Sequence, residues 1–140
     1  KLSVCLDLVK AAEASRRRAY DWVVRLRPDM ALHAPIGDLR DLDASAVHAV
    51  RRQSGLSDIK DHFALVPRRH AEAYFLIGDD CHEPHEVSSF GSLCQGAEHM
   101  FSGQMMYPEC AFVVRLHTRG VPVASFPCLY ELVRHDFCSQ

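Results

Sequence analysis

Arg25 and Arg27 stand two positions apart in a short, nearly continuous apolar run, Tyr20–Met30 (YDWVVRLRPDM), which passes straight into Pro28 and Asp29. Guanidiniums and a carboxylate at that spacing could hold a phosphate-bearing ligand. An arginine fork bonds phosphate oxygens in pairs. An aspartate just past a strand offers a hard oxygen to a divalent cation bridging diphosphate oxygens. In open α/β sheets such ligands collect outside the ends of strands. The competing reading is structural: buried charges must be paired, so Arg27 could equally be served by Glu109 or Asp61, with Asp29 capping a turn after Pro28.

Other residues could join this chemistry. Asp61 and His62 open the segment KDHFALVPRR and place a candidate base at a sheet rim, or merely a polar pair before a buried strand. Glu109, directly after Pro108, suits the first turn of a helix, where the dipole favours an acid; it could also accept a hydrogen bond from a sugar hydroxyl. His135 could reach back to a metal near Asp29, or lie exposed near the chain end. Cys81, His82, His85, Cys94 and His99 invite a zinc reading, but Cys81-x₃-His85 is the one short ligand spacing, Cys94 and His99 sit irregularly, and no usual zinc knuckle results. A small zinc-binding interaction domain is kept as an alternative. No dinucleotide, P-loop or serine-hydrolase signature is present.

These residues need elements to carry them. Leu2, Cys5, Leu6 and Val9 fall at i, i+3, i+4 and i+7, which predicts an amphipathic helix with Glu13 and Arg17 paired on its wet face. Trp22–Arg27 reads as a strand, with Val23, Arg25 and Arg27 on one face and Trp22, Val24 and Leu26 on the other. A loop from Met30 to Asp43, with a short strand at its start, leads to brief strands at Ala46–Arg51 and Asp61–Val66. Gln53–Lys60 between them reads as polar loop. Pro67 suits the first residue of a helix that closes at Gly78. Asp79–Met106 is the least regular stretch. Pro108 opens a last helix that ends at Gly120, and strands at Val121–Ala124 and Cys128–Arg134 follow, the first at an edge because of Pro122. The order is α/β in character.

The length of 140 residues allows a single domain, 1–140, able to bury a core. A net charge of −2 gives no electrostatic case for nucleic acid, and no apolar run approaches the length needed to cross a bilayer. Cys5 and Cys110 fall on predicted apolar helix faces and read as buried thiols. Cys81 with Cys94, or Cys128 with Cys138, could pair in an oxidising compartment. The chain opens with Lys1 inside a predicted helix, so it reads as a segment of something longer, and its location is left open.

Three segments in this order, YDWVVRLRPDM, KDHFALVPRRHAEAYF (Lys60–Phe75) and YPECAFVVRLHTRGVPVA (Tyr107–Ala124), resemble the C-terminal part of predicted glycosyltransferases of GT-A type. The resemblance runs from about Leu2 to Arg134 and is weakest between Asp79 and Met106. It implies a partial GT-A-like fold, the nucleotide-diphospho-sugar transferase type: a mixed sheet flanked by helices, with the N-terminal nucleoside-binding half missing from this chain. It also implies a nucleotide-sugar donor, a carbohydrate or glycoconjugate acceptor, and secretory location in eukaryotic members, the Golgi included. Arg25, Arg27 and Asp29 would meet the donor diphosphate, Asp61 or Glu109 would serve as base, and Asp29 with His135 would face an optional Mn or Mg ion. Many such enzymes carry Asp-x-Asp where this chain has Arg27-Pro28-Asp29. A non-catalytic binding or scaffolding module of the same fold is the alternative that this departure favours.

Overall fold

Leu2, Leu6 and Val9 recur at helical spacing, and helix α1 (Leu2–Arg16) forms over them in the computed structural model, which describes residues 2–51, 59–77, 108–128 and 130–133. Leu6 is fully buried, with Leu2 and Val9 packed beside it. The covered stripe is narrow, because α1 lies at the edge and packs on one short helix. Cys5 is therefore exposed rather than buried, and Val4 and Leu8 face outward. Glu13 also departs from expectation: it turns inward to an arginine far along the chain rather than pairing with Arg17.

The strands are β1 (Trp22–Leu26), β2 (Met30–Leu32), β3 (Val47–Arg51), β4 (Ile59–Pro67), β5 (Val123–Ser125) and β6 (Tyr130–Leu132). A four-stranded sheet has the order β1-β4-β3-β5, and β2 pairs with β6 in a separate two-stranded ribbon. β1–β4 and β4–β3 are antiparallel, whereas β3–β5 is parallel, so the sheet is mixed. β5 lies at the edge, as Pro122 just before it requires. β4 begins at Ile59, earlier than its apolar run suggests, because pairing with Arg51 recruits the polar residues before Phe63.

Pro67 does not begin a helix. It closes β4 opposite Trp22 with extended backbone (φ −54°, ψ 138°), and the Arg68 N–H bonds the Asp21 carbonyl at 2.9 Å, prolonging the β pairing past the proline. A 3₁₀ turn (Arg68–His70) then leads into α2 (Ala71–Phe75). The expected stop at Gly78 lies outside the described residues. Helix α3 (Pro108–Thr118) ends as expected at Gly120, which adopts φ 63°.

Alternation along the strands sends their side chains to opposite faces. On one face Val23, Ala64, Val66 and Val47 meet Leu6 of α1, Tyr74 and Phe75 of α2, and Phe112 and Leu116 of α3. On the other, Phe63, Leu65 and Phe126 form a smaller cluster closed by Trp22, Met30, Ile36 and Leu39. Each of the large side chains fully buried here contributes roughly 1.5–3 kcal/mol. β1 inverts the simple expectation for an amphipathic strand. Its wholly apolar face leaves Val24 and Leu26 half exposed, while the face that carries Arg25 lies under the helices. Among the described residues no helix is long and apolar enough to cross a membrane.

Candidate functional site

The site is built where β4 departs from regular pairing. Ala49 of β3 stands opposite Ala64, but Arg51 stands opposite Ile59, so β4 carries extra residues between those positions. Such a bulge re-aims side chains. Its effect shows in the core, where Ile59 joins Ala64 and Val66 on the helix side although strict alternation would put it with Phe63 and Leu65. Asp61 and His62 lie within this irregular stretch. The Asp61 carboxylate thereby reaches the helix side of the sheet, where Arg25 projects from β1.

Arg25 is held from three directions. Its Nη2 bonds Asp61 Oδ2 at 3.1 Å, its Nη1 donates to the Tyr74 hydroxyl at 3.3 Å, and its Cζ lies 5.0 Å from the Phe112 ring centroid. The pair is mostly buried, with side-chain exposures of 14% and 20%. Stacking on Phe112 supplies the cation with a favourable ring quadrupole. Burial pushes the Tyr74 phenol above its usual range, and the Arg25 charge opposes that shift.

Arg27 and Asp29 form a second pair, with Nε to Oδ1 at 2.9 Å and Nη2 to Oδ2 at 2.7 Å. The Arg27 carbonyl accepts from the Met30 N–H at 3.2 Å, so Arg27–Met30 is a turn with Pro28 at its second position, where a fixed φ is favoured. The Asp29 carbonyl accepts from the Val133 N–H at 2.8 Å, which joins this turn to the β2–β6 ribbon. Hydrogen bonds from Arg27 hold the Asp29 carboxyl below the usual carboxylate range, and those same bonds raise the Arg27 pKa. This pair is more open than the first, at 38% and 34% exposure.

His62 connects the pairs to the ribbon. Its Nε2 lies 3.4 Å from Asp61 Oδ1, and its Nδ1 lies 2.9 Å from the Tyr130 hydroxyl. The two rings meet edge to face at 90°, with centroids 5.7 Å apart. Asp29 also interacts electrostatically with His62, and Arg27 with both Asp61 and Tyr130.

Arg25, Arg27, Asp29 and Asp61 thus meet at one end of the sheet. The two guanidiniums and two carboxylates neutralise one another, so among the described side chains the structural alternative raised from the sequence takes a different form: Arg27 bonds not Asp61 but the aspartate two residues on. Glu109 follows Pro108 in the first turn of α3, and its side chain lies outside the described part. His135 and the Cys81–His99 cluster also lie outside the described residues. Cys128 is a free thiol whose pKa burial raises; Cys138, its expected partner, lies outside the described residues.

Sequence reasoning noticed His62 only as a neighbour of Asp61 and gave Tyr130 and Tyr74 no role in a site. Nothing local marks Tyr130, because its place depends on β6 pairing with a strand a hundred residues upstream in register Leu32–Tyr130, for which the local sequence holds no signal. Among the described residues no group of three or more histidine, cysteine or acidic side chains is arranged to hold a metal. Asp29, the expected ligand, has both oxygens engaged by Arg27. Mn and Mg take several oxygen ligands, and His135, the other expected ligand, lies outside the described residues. No protein-family model, curated protein or solved structure matches the chain.

Proposed function

We propose that this chain is a glycosyltransferase-type segment of GT-A-like architecture. It takes a sugar from a nucleotide-sugar donor to a carbohydrate or glycoconjugate acceptor, with the donor diphosphate at the end of β1. The observation that carries this reading is the convergence of Arg25, Arg27, Asp29 and Asp61, drawn from β1, its following turn and the bulged stretch of β4, at one partly open sheet end. The helix–strand–Arg-Pro-Asp turn order and the mixed sheet are consistent with it.

The pairs differ in what they can give up. Arg25 is fixed by Asp61, Tyr74 and Phe112 and stays in place, a buried positive charge behind the site. Arg27 is half exposed and, among the described residues, its guanidinium bonds only a neighbour in the chain, so a diphosphate can take over its fork with little rearrangement. Charge-assisted bidentate bonds of this kind stabilise the negative charge that grows on the departing diphosphate. The chemistry is assigned here to guanidinium charge, without a step through a metal.

Titration calorimetry with UDP-glucose and GDP-mannose, with and without MnCl₂, tests the reading. Arg27→Met is expected to weaken binding of the accepted donor by at least about tenfold. Equal affinity in wild type and Arg27→Met, or no binding of either donor at millimolar concentration, would sink it. A second reading, a binding or scaffolding module without catalysis, is favoured by the fact that each arginine already has a carboxylate partner within the fold. Donor binding without turnover to free nucleotide separates it from the first.

A further inference from the structure

We propose that the outer edge of β1 is a self-association surface. Two copies of this chain pair antiparallel through β1, with Val24 facing its own counterpart, and join their four-stranded sheets into one. The proposal stands apart from the glycosyltransferase reading, because it uses a strand edge and needs no donor.

β1 comes first in the order β1-β4-β3-β5, so among the described residues it pairs on one side only, with β4. Two hydrogen bonds fix which way its backbone points. The Arg27 N–H bonds the His62 carbonyl at 3.0 Å, and the Arg68 N–H bonds the Asp21 carbonyl at 2.9 Å. With Leu26 opposite Phe63 and Trp22 opposite Pro67, these are the next partners beyond each end of the ladder. Hydrogen-bonded and non-hydrogen-bonded pairs alternate in an antiparallel ladder, so Asp21, Val23, Arg25 and Arg27 direct their N–H and C=O groups to β4. Those of Trp22, Val24 and Leu26 point the other way, to the outer edge. Pro67 agrees with this assignment: it stands opposite Trp22, where the ladder asks no N–H of it.

An edge of this kind templates further pairing unless proline, lysine or a bulge blunts it. β1 reads WVVRL and keeps an unbroken register, so it carries none of these. Its one cation, Arg25, is turned under the helices to Asp61. Val24 and Leu26 are 43% and 48% exposed on one face, beside the half-buried Trp22.

One register of self-pairing uses the whole edge. With the two-fold axis at Val24, Trp22 meets the partner's Leu26 and Val24 meets the partner's Val24, each pair exchanging two hydrogen bonds. Their side chains continue one apolar strip across the junction. On the opposite face the exposed Asp21 stands across from the partner's Arg27. Asp29 engages Arg27 through Nε and Nη2, which leaves Nη1 for that carboxylate. Opposite charges directly across two strands are stabilising, and the symmetry supplies this pair twice. Other registers lose on both counts. An axis at Arg25 sets two guanidiniums face to face and puts Trp22 against the partner's Pro28, which has no N–H. An axis at Val23 puts Leu26 against the partner's Tyr20, whose N–H is already bonded to Glu13. A second copy of this chain is therefore the occupant that the edge fits.

Sedimentation velocity from micromolar to millimolar protein, with amide hydrogen exchange read by NMR at both ends of that range, tests the proposal. The dimer fraction should grow with concentration. Slow exchange at Trp22, Val24 and Leu26 should appear only at the high end, while β4 protects Val23 and Arg25 throughout. Val24→Pro removes a donor that the β1–β4 ladder does not use, and should weaken association by at least about tenfold. Asp21→Lys opposes like charges twice at an exposed position, and should weaken it by about tenfold at low salt. A chain that stays monomeric at millimolar concentration overturns the proposal and leaves the edge to a strand from a different protein. Association that leaves those three amides in fast exchange, or their protection in the monomer, overturns it as well. So does wild-type association of Asp21→Lys at low salt, a result that decides the matter even where Val24→Pro fails to fold.

Discussion

Two of the forked arginine–carboxylate pairs among the described residues share their chemistry and differ in their work. At the outer end of α1, Arg68 Nε and Nη2 bond Glu13 Oε1 and Oε2 at 2.7 and 2.8 Å, and Oε1 also accepts from the Tyr20 N–H at 3.0 Å. At the sheet end Arg27 bonds Asp29 with nearly identical distances. The first pair joins residues 55 positions apart and is the more covered, at 24% and 11% exposure. It fastens the last turn of α1 to the corner between β4 and α2. The second joins residues two apart in one turn, holds no elements together, and stands half open. The same fork is a staple where it spans the chain and a readily released charge store where it does not.

Cutting each arginine is the strongest way to break the comparison. Arg68→Ala leaves the Glu13 carboxylate covered without its counter-ion, and removal of one partner from such a pair is destabilising. Its melting temperature should fall by roughly 5–10 °C. Arg27→Ala removes a half-solvated local pair, which contributes little, and should shift the melting temperature by no more than about 2 °C. Equal losses in thermal melts of the two variants would show that the distinction drawn from sequence separation and burial is wrong.

Acid sharpens the contrast at smaller amplitude. Hydrogen bonds from Arg68 and then Tyr20 bring the Glu13 carboxyl down from 4.5 to about 2. A carboxyl whose folded pKa is depressed contributes stability that is fully present above its unfolded value and is lost as pH falls through the folded one. The contribution of Glu13 should therefore persist above about pH 4.5 and disappear on approach to pH 2. Asp29 acts in the same direction through Arg27. Urea midpoints measured from pH 7 to pH 2 should show a wild-type acid slope that Arg68→Ala flattens. An unchanged slope would place the acid-sensitive stability elsewhere.

What could be read in advance follows the range of the forces involved. Local periodicity located α1, β1, the core of β4 and α3, because buried stripes and alternation are written in neighbouring residues. Pro122 marked the β5 edge. Pro67 misled, because its compatibility with a helix start is a local preference, overruled by a ladder that pairs it with Trp22. The Arg25–Asp61 contact required the bulge in β4, and the Glu13–Arg68 fork required the corner between β4 and α2. The Tyr130–His62 contact required the β2–β6 ribbon. Each depends on strands or elements meeting from distant positions. Charge alone showed that Arg25 and Arg27 needed partners; register decided which carboxylates supplied them.

The smallest expected effect isolates the end of α1 from the staple that holds it. α1 and α3 finish with the same arrangement of backbone bonds. In α1 the Arg17 and Arg18 N–H groups bond the Ala14 and Glu13 carbonyls, and in α3 the Gly120 and Val121 N–H groups bond those of His117 and Leu116. Both arrangements put one residue in the left-handed region. α3 uses Gly120 there (φ 63°), whereas α1 uses Arg17 (φ 53°), where a Cβ is strained. The Glu13 fork lies within that same turn and helps hold α1 in a conformation its own sequence disfavours. Arg17→Gly should stabilise by about 0.5–1 kcal/mol by relieving the strain. Gly120→Ala should cost about 1 kcal/mol, and through the backbone alone, since an added Cβ meets nothing within 4 Å. Made together with Arg68→Ala, Arg17→Gly should recover part of the lost melting temperature. A double variant no more stable than Arg68→Ala alone would mean that the fork does not hold the strained turn.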